Sequence, residues 1–413
     1  MEMHIQGKTQ LSGTVEISSS KNAVLPIIAA TALTDEKIVL KKVPHIKDVI
    51  IINQIISQLG KDVYQNEKDL IISGKVRHLT PPYELVRQMR ASFLLMGPLL
   101  SRYRKVRISL PGGCAIGNRP IDLHLKGFAA MGADIRFTGG DVIAKADKLT
   151  GNHIYLDYPS VGATENIIMA AALAQGTTWI ENAALEPEVT DLANFINHMG
   201  GNISGAGTNV IKIEGVESLS GAEYTPIPDR IEAGTYMIAV AATAGEAIIN
   251  NVIPEHLKSV TAKLEETGAV IEEEQNRLRI RREGKIKPVY IKTLPYPGFP
   301  TDMQAQIMAY LTFAAGTSII SESVFENRFM HVQELLRMGA DIRTEGKSAI
   351  IRGVKELTGA RVRASDLRAG AALIIAGLSA QGKTIVTEND HIERGYENID
   401  QKLNEMGARI YLN

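Results

Sequence analysis

Cys114 is the single cysteine of this chain. It sits in PGGCAIGNRP, residues 111–120, directly after the strand-like run Val106–Leu110. Glycines on both sides of it favour a loop over a packed helix or strand. A sulfur in that setting is placed to be reached, and Arg119, five residues on, supplies a cation that favours a reactive thiolate. The plainer alternative is a free cysteine that happens to fall in a turn, since free cysteines are usually buried small hydrophobes.

Other groups with chemical potential stand at the ends of predicted elements, where ligands usually bind. Lys21, in Ser18–Asn22, precedes an apolar helix expected from about Ala23. There it would meet an anion beside unpaired helix N–H groups, or serve as a capping, solvated lysine. Arg90 enters another apolar helix, and Arg119-Pro120-Ile121-Asp122-Leu123-His124 begins a third with proline early; a lone arginine is more often surface than ligand. Pro295–Met303 holds three prolines and a glycine, a rigid approach to Asp302 at a helix start. That carboxylate reads either as an N-cap, worth about 0.5–2 kcal/mol, or as a group aimed at a substrate hydroxyl. Arg328, Asp366, Arg368 and Arg394 occupy equivalent edges later in the chain. Arginines from several elements suit an anionic ligand. No HExxH, CxxC, P-loop or GxGxxG pattern occurs, so neither a metal nor another cofactor is expected. His331 reads as structural.

The elements that must position these groups repeat. A phrase recurs at Leu59-Gly60, Met131-Gly132, Met199-Gly200, Thr267-Gly268, Met338-Gly339 and Met406-Gly407, in steps of 72, 68, 68, 71 and 68 residues. Each glycine follows an amphipathic helical run and precedes an alternating strand, which predicts a helix stopped by a left-handed C-cap. A second phrase places the ends of Ala-rich helices at Gly176, Gly245, Gly316 and Gly382, each before a β-branched run. Six units of about 69 residues with βαβ content make an α/β protein, most economically two domains of three units. The prolines of Thr225–Arg230 mark the boundary. The expected domains are 22–229 and 230–413, the latter completed by 1–21 because the start of the chain must pair with its end.

Composition bounds the rest. With 45 basic and 46 acidic residues, no charge excess argues for a nucleic-acid partner. No apolar run approaches the roughly 20 residues of a membrane span, and no signal peptide is visible. With the lone cysteine, these features predict a cytoplasmic location.

At this point the motifs become recognisable over the entire chain. Lys21-Asn22, PGGCAIGNRP with Asp122-Leu123-His124, SVGATEN at 160–166, PDRIEAGT at 228–235 and FPTDMQAQ at 299–306 occur in order. VFENRFMH at 324–331, ASDLRAG at 364–370 and HIERGYE at 391–397 complete the set. The sequence resembles the UDP-N-acetylglucosamine 1-carboxyvinyltransferases of the enolpyruvyl transferase family. The resemblance implies two inside-out α/β barrel domains, each of three βαβαββ units, with the active site between them. It implies transfer of enolpyruvyl from phosphoenolpyruvate to the 3-hydroxyl of UDP-N-acetylglucosamine through a tetrahedral ketal, the step that opens peptidoglycan synthesis. Cys114 matches the family's proton donor and the target of fosfomycin, and Asp302 the base. Lys21, Asn22, Arg119 and Arg394 match the phosphoenolpyruvate site. Asn22, Arg90, Arg119, Pro120, Ile121, Asp122, Leu123, Ser160, Val161, Gly162, Asp302 and Val324 match the UDP-sugar site. Arg328, Asp366 and Arg368 match supporting positions, and the active site requires no oligomer. Tyr158-Pro159 stands where some relatives carry a lysine beside the nucleotide. The rival readings are a 3-phosphoshikimate 1-carboxyvinyltransferase, which shares fold and chemistry, and a non-catalytic UDP-sugar-binding protein.

Overall fold

Six helices among the described residues are mostly apolar and largely buried, and that property decides the architecture. Lys21–Ala30 buries every residue from Ala23 onward, and Gln304–Leu311 is buried throughout. Val161–Ala171, Arg230–Ala242 and Leu367–Ser379 leave only one or two positions each outside the core, and Met96–Tyr103 buries its first five residues. A helix that is apolar on all sides must be enclosed, so these form the interior and the sheets lie around them. The strands alternate accordingly, as in Glu246–Asn250 with Ala247 and Ile249 inward.

The computed structural model describes residues 2–66, 68–110 and 120–413. Their contacts divide into two compact units, one of residues 2–18 with 228–413, the other within 19–227. Each has its own hydrophobic core and carries three sheets among the described residues. In the first, Ser12–Glu16 runs parallel to Glu246–Asn250, Tyr290–Lys292 to Thr317–Ser321, and Arg361–Arg363 to Lys383–Thr387. Antiparallel strands complete each sheet. Met3–Gln6 lies between Lys383–Thr387 and Ile410–Leu412, with Met3 opposite Leu412 and His4 opposite Tyr411. The second unit repeats the scheme with Ala222–Tyr224 parallel to Ile38–Leu40 and His153–Tyr155 parallel to Thr177–Glu181. Its remaining sheet joins Lys105–Ser109, Asp141–Lys145 and Asp134–Thr138.

The recurring glycines do what their phrase predicts. Gly60, Gly132, Gly200, Gly268, Gly339 and Gly407 all have φ between +93° and +108°, a region essentially reserved for glycine. In the second phrase Gly245 departs from its counterparts. Ala244 takes the positive φ of 53°, and Gly245 is needed for space, because a Cβ there would lie 2.1 Å from the Leu11 carbonyl oxygen.

The division falls at 18/19 and 227/228, whereas the sequence reading places it at 21/22 and 229/230. Local hydrogen bonds explain the offset. Ser20 N–H donates to Ile227 O (2.7 Å), which ties it to the second unit, and Asp229 N–H donates to Ser18 O (2.9 Å) within the first. No helix among the described residues is long and apolar enough to cross a membrane.

Candidate functional site

Within the 228–413 unit, Asp302 lies in the short 3-10 turn Thr301–Met303 that leads into the buried helix Gln304–Leu311. The capping role considered from sequence is not its role. The position ahead of the turn is Pro300, with no side-chain cap, and the Asp302 carboxylate turns to arginines instead. Arg328 Nη2 donates to Oδ1 at 2.8 Å, while Arg368 Nε and Nη2 donate to Oδ2 at 3.2 and 2.9 Å. The two arginine side chains are 3% and 5% exposed, and Asp302 keeps 27%. Charge-assisted bonds on both oxygens fix the direction of the carboxylate, and its exposure leaves it open to a ligand.

Each partner of Asp302 is itself held. Asp366 caps Leu367–Ser379, accepting from Arg368 N (2.9 Å) and Ala369 N (3.1 Å), and so sets the helix that carries Arg368. Burial alone would weaken the Arg368 cation, but the negative charges of Asp302 and Asp229 and the hydrogen bonds to Asp302 outweigh that and raise its pKa. His331 is buried near Arg328 and Asp366, and desolvation pushes it down to about 4. It is neutral near pH 7, in keeping with a structural part. Val324 is placed by Glu322, whose carboxylate is buried. Glu322 accepts from Val324 N (2.8 Å), Thr293 Oγ1 (2.8 Å) and Thr301 Oγ1 (2.9 Å), so one buried acid folds the Val324 loop onto the turn that bears Asp302. Arg394 ends the 3-10 turn Asn389–Arg394, and Tyr396 two residues later returns to Arg368.

In the 19–227 unit the helix near Ala23 starts at Lys21 itself. Lys21 Nζ pairs with Asp48 Oδ2 at 3.4 Å; the lysine side chain is 15% exposed and the aspartate 3%. Ser20, ahead of the helix, is buried, and its Oγ makes no hydrogen bond. Asn22 is half-buried beside it. Arg90 opens the 3-10 turn Arg90–Leu95, which runs into Met96–Tyr103.

A second cluster gathers on His124. It follows Pro120, Ile121, Asp122 and Leu123 in the helix Asp122–Ala130. Its Nδ1 lies 3.0 Å from Asn166 Nδ2, its ring meets the Phe93 edge at 5.2 Å, and a Cβ at Gly162 would sit 3.2 Å from its Cε1. Asn166 Oδ1 accepts from Gly97 N (2.7 Å), and Nδ2 also donates to Phe93 O (3.0 Å). The amide orientation assigns Nδ1 as acceptor and puts the imidazole proton on Nε2. Burial, with the charge of Arg90 adding, pushes His124 down to about 3, so a neutral ring joins three candidate segments. Ser160 caps Val161–Ala171, its side chain accepting from Ala163 N at 3.4 Å, which sets Val161 and Gly162 at the helix start. Tyr158, at the lysine position of some relatives, is 45% exposed.

Sequence reasoning passed over Asp48, Asn166, Glu322, Thr235, Gln306 and Tyr396. The available signal was polar side chains inside otherwise apolar helices, as with Thr235 and Gln306, which are 2% and 0% exposed. Cys114, Arg119 and the expectations for their loop lie outside the described residues. A groove of about 440 Å³ in the 19–227 unit is lined by Gln58, Arg77, His78, Leu79, Thr80, Lys105 and Arg107, none of them a sequence-chosen group. No set of three or more His, Cys, Asp or Glu side chains among the described residues is arranged to hold a metal ion.

Comparison with known proteins bears on what these clusters do. Residues 5–403 match the family model described as EPSP synthase (3-phosphoshikimate 1-carboxyvinyltransferase). UDP-N-acetylglucosamine 1-carboxyvinyltransferase 1 of Caldanaerobacter subterraneus subsp. tengcongensis is 57% identical over 98% of both chains. UDP-N-acetylglucosamine 1-carboxyvinyltransferase 2 of Carboxydothermus hydrogenoformans is 58% identical, again over 98% of both. Among solved structures, the enolpyruvyl transferase NikO from Streptomyces tendae superposes with a TM-score of 0.90 at 25% identity, covering 99% of this chain and 98% of that one. An EPSP synthase from Acinetobacter baumannii gives 0.78 at 17% over the full length of both, a likeness of fold.

Proposed function

The chain belongs to the UDP-N-acetylglucosamine 1-carboxyvinyltransferases, within the wider enolpyruvyl transferase family, and from that membership we infer how its own residues carry the reaction. The enzyme transfers the enolpyruvyl group of phosphoenolpyruvate to the 3-hydroxyl of UDP-N-acetylglucosamine and releases phosphate. In the addition step the sugar oxygen attacks C2 of phosphoenolpyruvate and gives its proton to a base, while C3 takes a proton from an acid. In the elimination step C3 loses a proton, the bond from C2 to the phosphate oxygen breaks, and the double bond returns. The base must lie within hydrogen-bond reach of the hydroxyl.

Asp302 is the base in this reading, and the supporting observation is its three-bond arginine clamp with an exposed side-chain fraction. A carboxylate whose direction is fixed in advance meets the hydroxyl without reorganising, which is where positioned groups gain most. Cys114 is the proton donor. Lys21, Asn22, Arg119 and Arg394 take the phosphate and carboxylate of phosphoenolpyruvate, whose charge needs several cations. Arg90, Arg119, Pro120, Ile121, Asp122, Leu123 and Ser160–Gly162 take the UDP-sugar together with Asn22, Asp302 and Val324, and neutral His124 supports the described segments 120–123 and 160–162.

The test is phosphate release with phosphoenolpyruvate and each acceptor in turn. Release with UDP-N-acetylglucosamine and none with shikimate 3-phosphate is expected. Release with shikimate 3-phosphate instead would support the rival transferase; UDP-sugar binding without release from either would support a binding protein.

A further inference from the structure

Tyr396 has no role of its own in the proposed reaction, yet its hydroxyl joins Arg368 to two buried polar residues of the inner helices. It is 3% exposed, and its hydroxyl sits among Arg368 Nη1 (3.0 Å), Thr235 Oγ1 (2.9 Å) and Gln306 Nε2 (3.3 Å). The direction of these bonds can be worked out. Thr235 has one hydroxyl proton, and it goes to the Ile231 carbonyl at 2.7 Å. Tyr396 must therefore donate to Thr235. Its lone pairs are left for Arg368 and Gln306, both of which can only donate there. Burial pushes the Tyr396 phenol up from its ordinary value, so it is neutral near pH 7 and acts through its oxygen.

Two routes lead from this oxygen to Asp302. Through the side chains, Arg368 spends Nη1 on Tyr396 and turns Nε and Nη2 to the Asp302 carboxylate. Through the backbone, Gln306 Nε2 reaches Tyr396 and also donates to the Asp302 carbonyl at 2.8 Å. A third connection runs along the chain: Tyr396 N donates to Ile392 O at 3.1 Å, closing the turn that carries Arg394. The guanidinium also lies over the phenol ring, 5.4 Å from its centroid.

We propose that Tyr396 is a positioning residue for enolpyruvyl transfer: its hydroxyl, keyed by Thr235, holds Arg368 and Gln306 so that the Asp302 carboxylate and the Arg394 turn keep a fixed mutual register. The proposal rests on the assignment of Asp302 as base. It predicts that loss of one oxygen atom, with the ring still packed, slows the chemical step more than it weakens binding.

The experiment compares Tyr396→Phe, Thr235→Val, Thr235→Ser and Asp302→Asn in the full-length enzyme. For Tyr396→Phe, kcat should fall about tenfold, the scale of one hydrogen bond to a charged group. KM for both substrates should stay within about twofold, with melting still cooperative and lowered by only a few degrees, because buried groups lose a partner. Thr235→Val should show the same split and Thr235→Ser should restore kcat, a rescue that keeps the proposal testable if Tyr396→Phe folds poorly. Tyr396→Phe with normal kcat, beside a crippled Asp302→Asn, would overturn the proposal and leave the base assignment standing. A normal Asp302→Asn would overturn the base assignment itself. Thr235→Ser no better than Thr235→Val, with melting and kcat falling together, would reduce the network to structure alone and overturn the proposal as well.

Discussion

Asp302 and His124 each stand among buried partners near the start of a helix, one in each unit, yet they are held by different physics. Two guanidinium groups grip Asp302; a carboxamide and an aromatic edge hold His124. The charged clamp sets direction strongly, but removing one member leaves an opposite charge without its partner in a poorly solvated place. The neutral hub adds shape without adding a charge beside Arg90, and it resists protonation. The same repeated scaffold thus offers a rigidly aimed carboxylate in one unit and an uncharged, shaped support in the other. That division suits a reaction in which one group must accept a proton while others only hold a ligand.

The comparison breaks most visibly if the clamp is halved. Arg368→Met should destabilise the protein by about 3–5 kcal/mol, the usual cost of stripping a buried pair of one partner, measured by denaturant unfolding. A loss below about 1 kcal/mol, the scale of a surface pair, would show that the clamp contributes no more than an exposed ion pair.

The neutral hub is tested by acid. The folded value of His124, about 3, lies below its unfolded value of 6.5. Its contribution to stability is therefore whole above about pH 6.5 and is lost as pH falls towards 3. Between pH 7.5 and 4.5 it should account for about 2–3 kcal/mol of lost stability, so His124→Gln should show a flatter profile over that window. His331 in the other unit, at about 4, shifts in the same direction, and His331→Gln should flatten the profile by a similar amount over this window. Parallel profiles for wild type and His124→Gln would mean that His124 is protonated in the folded protein.

The smallest effect sharpens the comparison by testing what the units share. Gly132→Ala and Gly339→Ala fall at equivalent turns with φ of 97° and 93° and no atom closer than 3.7 Å to a new Cβ. Each should cost about 1–2 kcal/mol from backbone strain alone. Melting shifts that differ several-fold would show that the scaffolds are not equivalent.

The repeat was legible because a helix stop that needs a positive φ leaves glycine as its mark at every turn. Most inner helices were legible as Ala-rich runs, but Met96–Tyr103, which has no alanine, was not. The clamp was not, since Arg328 and Arg368 reach Asp302 across 26 and 66 residues and nothing local announces the meeting. Read alone, an aspartate after proline at a helix start looks like a cap. Tyr396 was harder still: its partners Thr235 and Gln306 lie 161 and 90 residues away and belong to different inner helices. The resemblance supplied the candidate residues, and the structure shows how the described ones are held.

We propose that Asp302, aimed by its arginines, accepts the proton from the sugar hydroxyl. This is tested most directly by kcat of Asp302→Asn, measured beside thermal melting of the same preparation. An amide keeps the shape and an acceptor oxygen but cannot take a proton as a carboxylate can, so turnover should fall roughly 100-fold or more. The protein should still melt cooperatively, somewhat lower because two buried cations lose their counter-charge, and UDP-N-acetylglucosamine should still bind. Near-normal turnover in a folded Asp302→Asn protein would contradict the claim and leave the clamp as a structural feature.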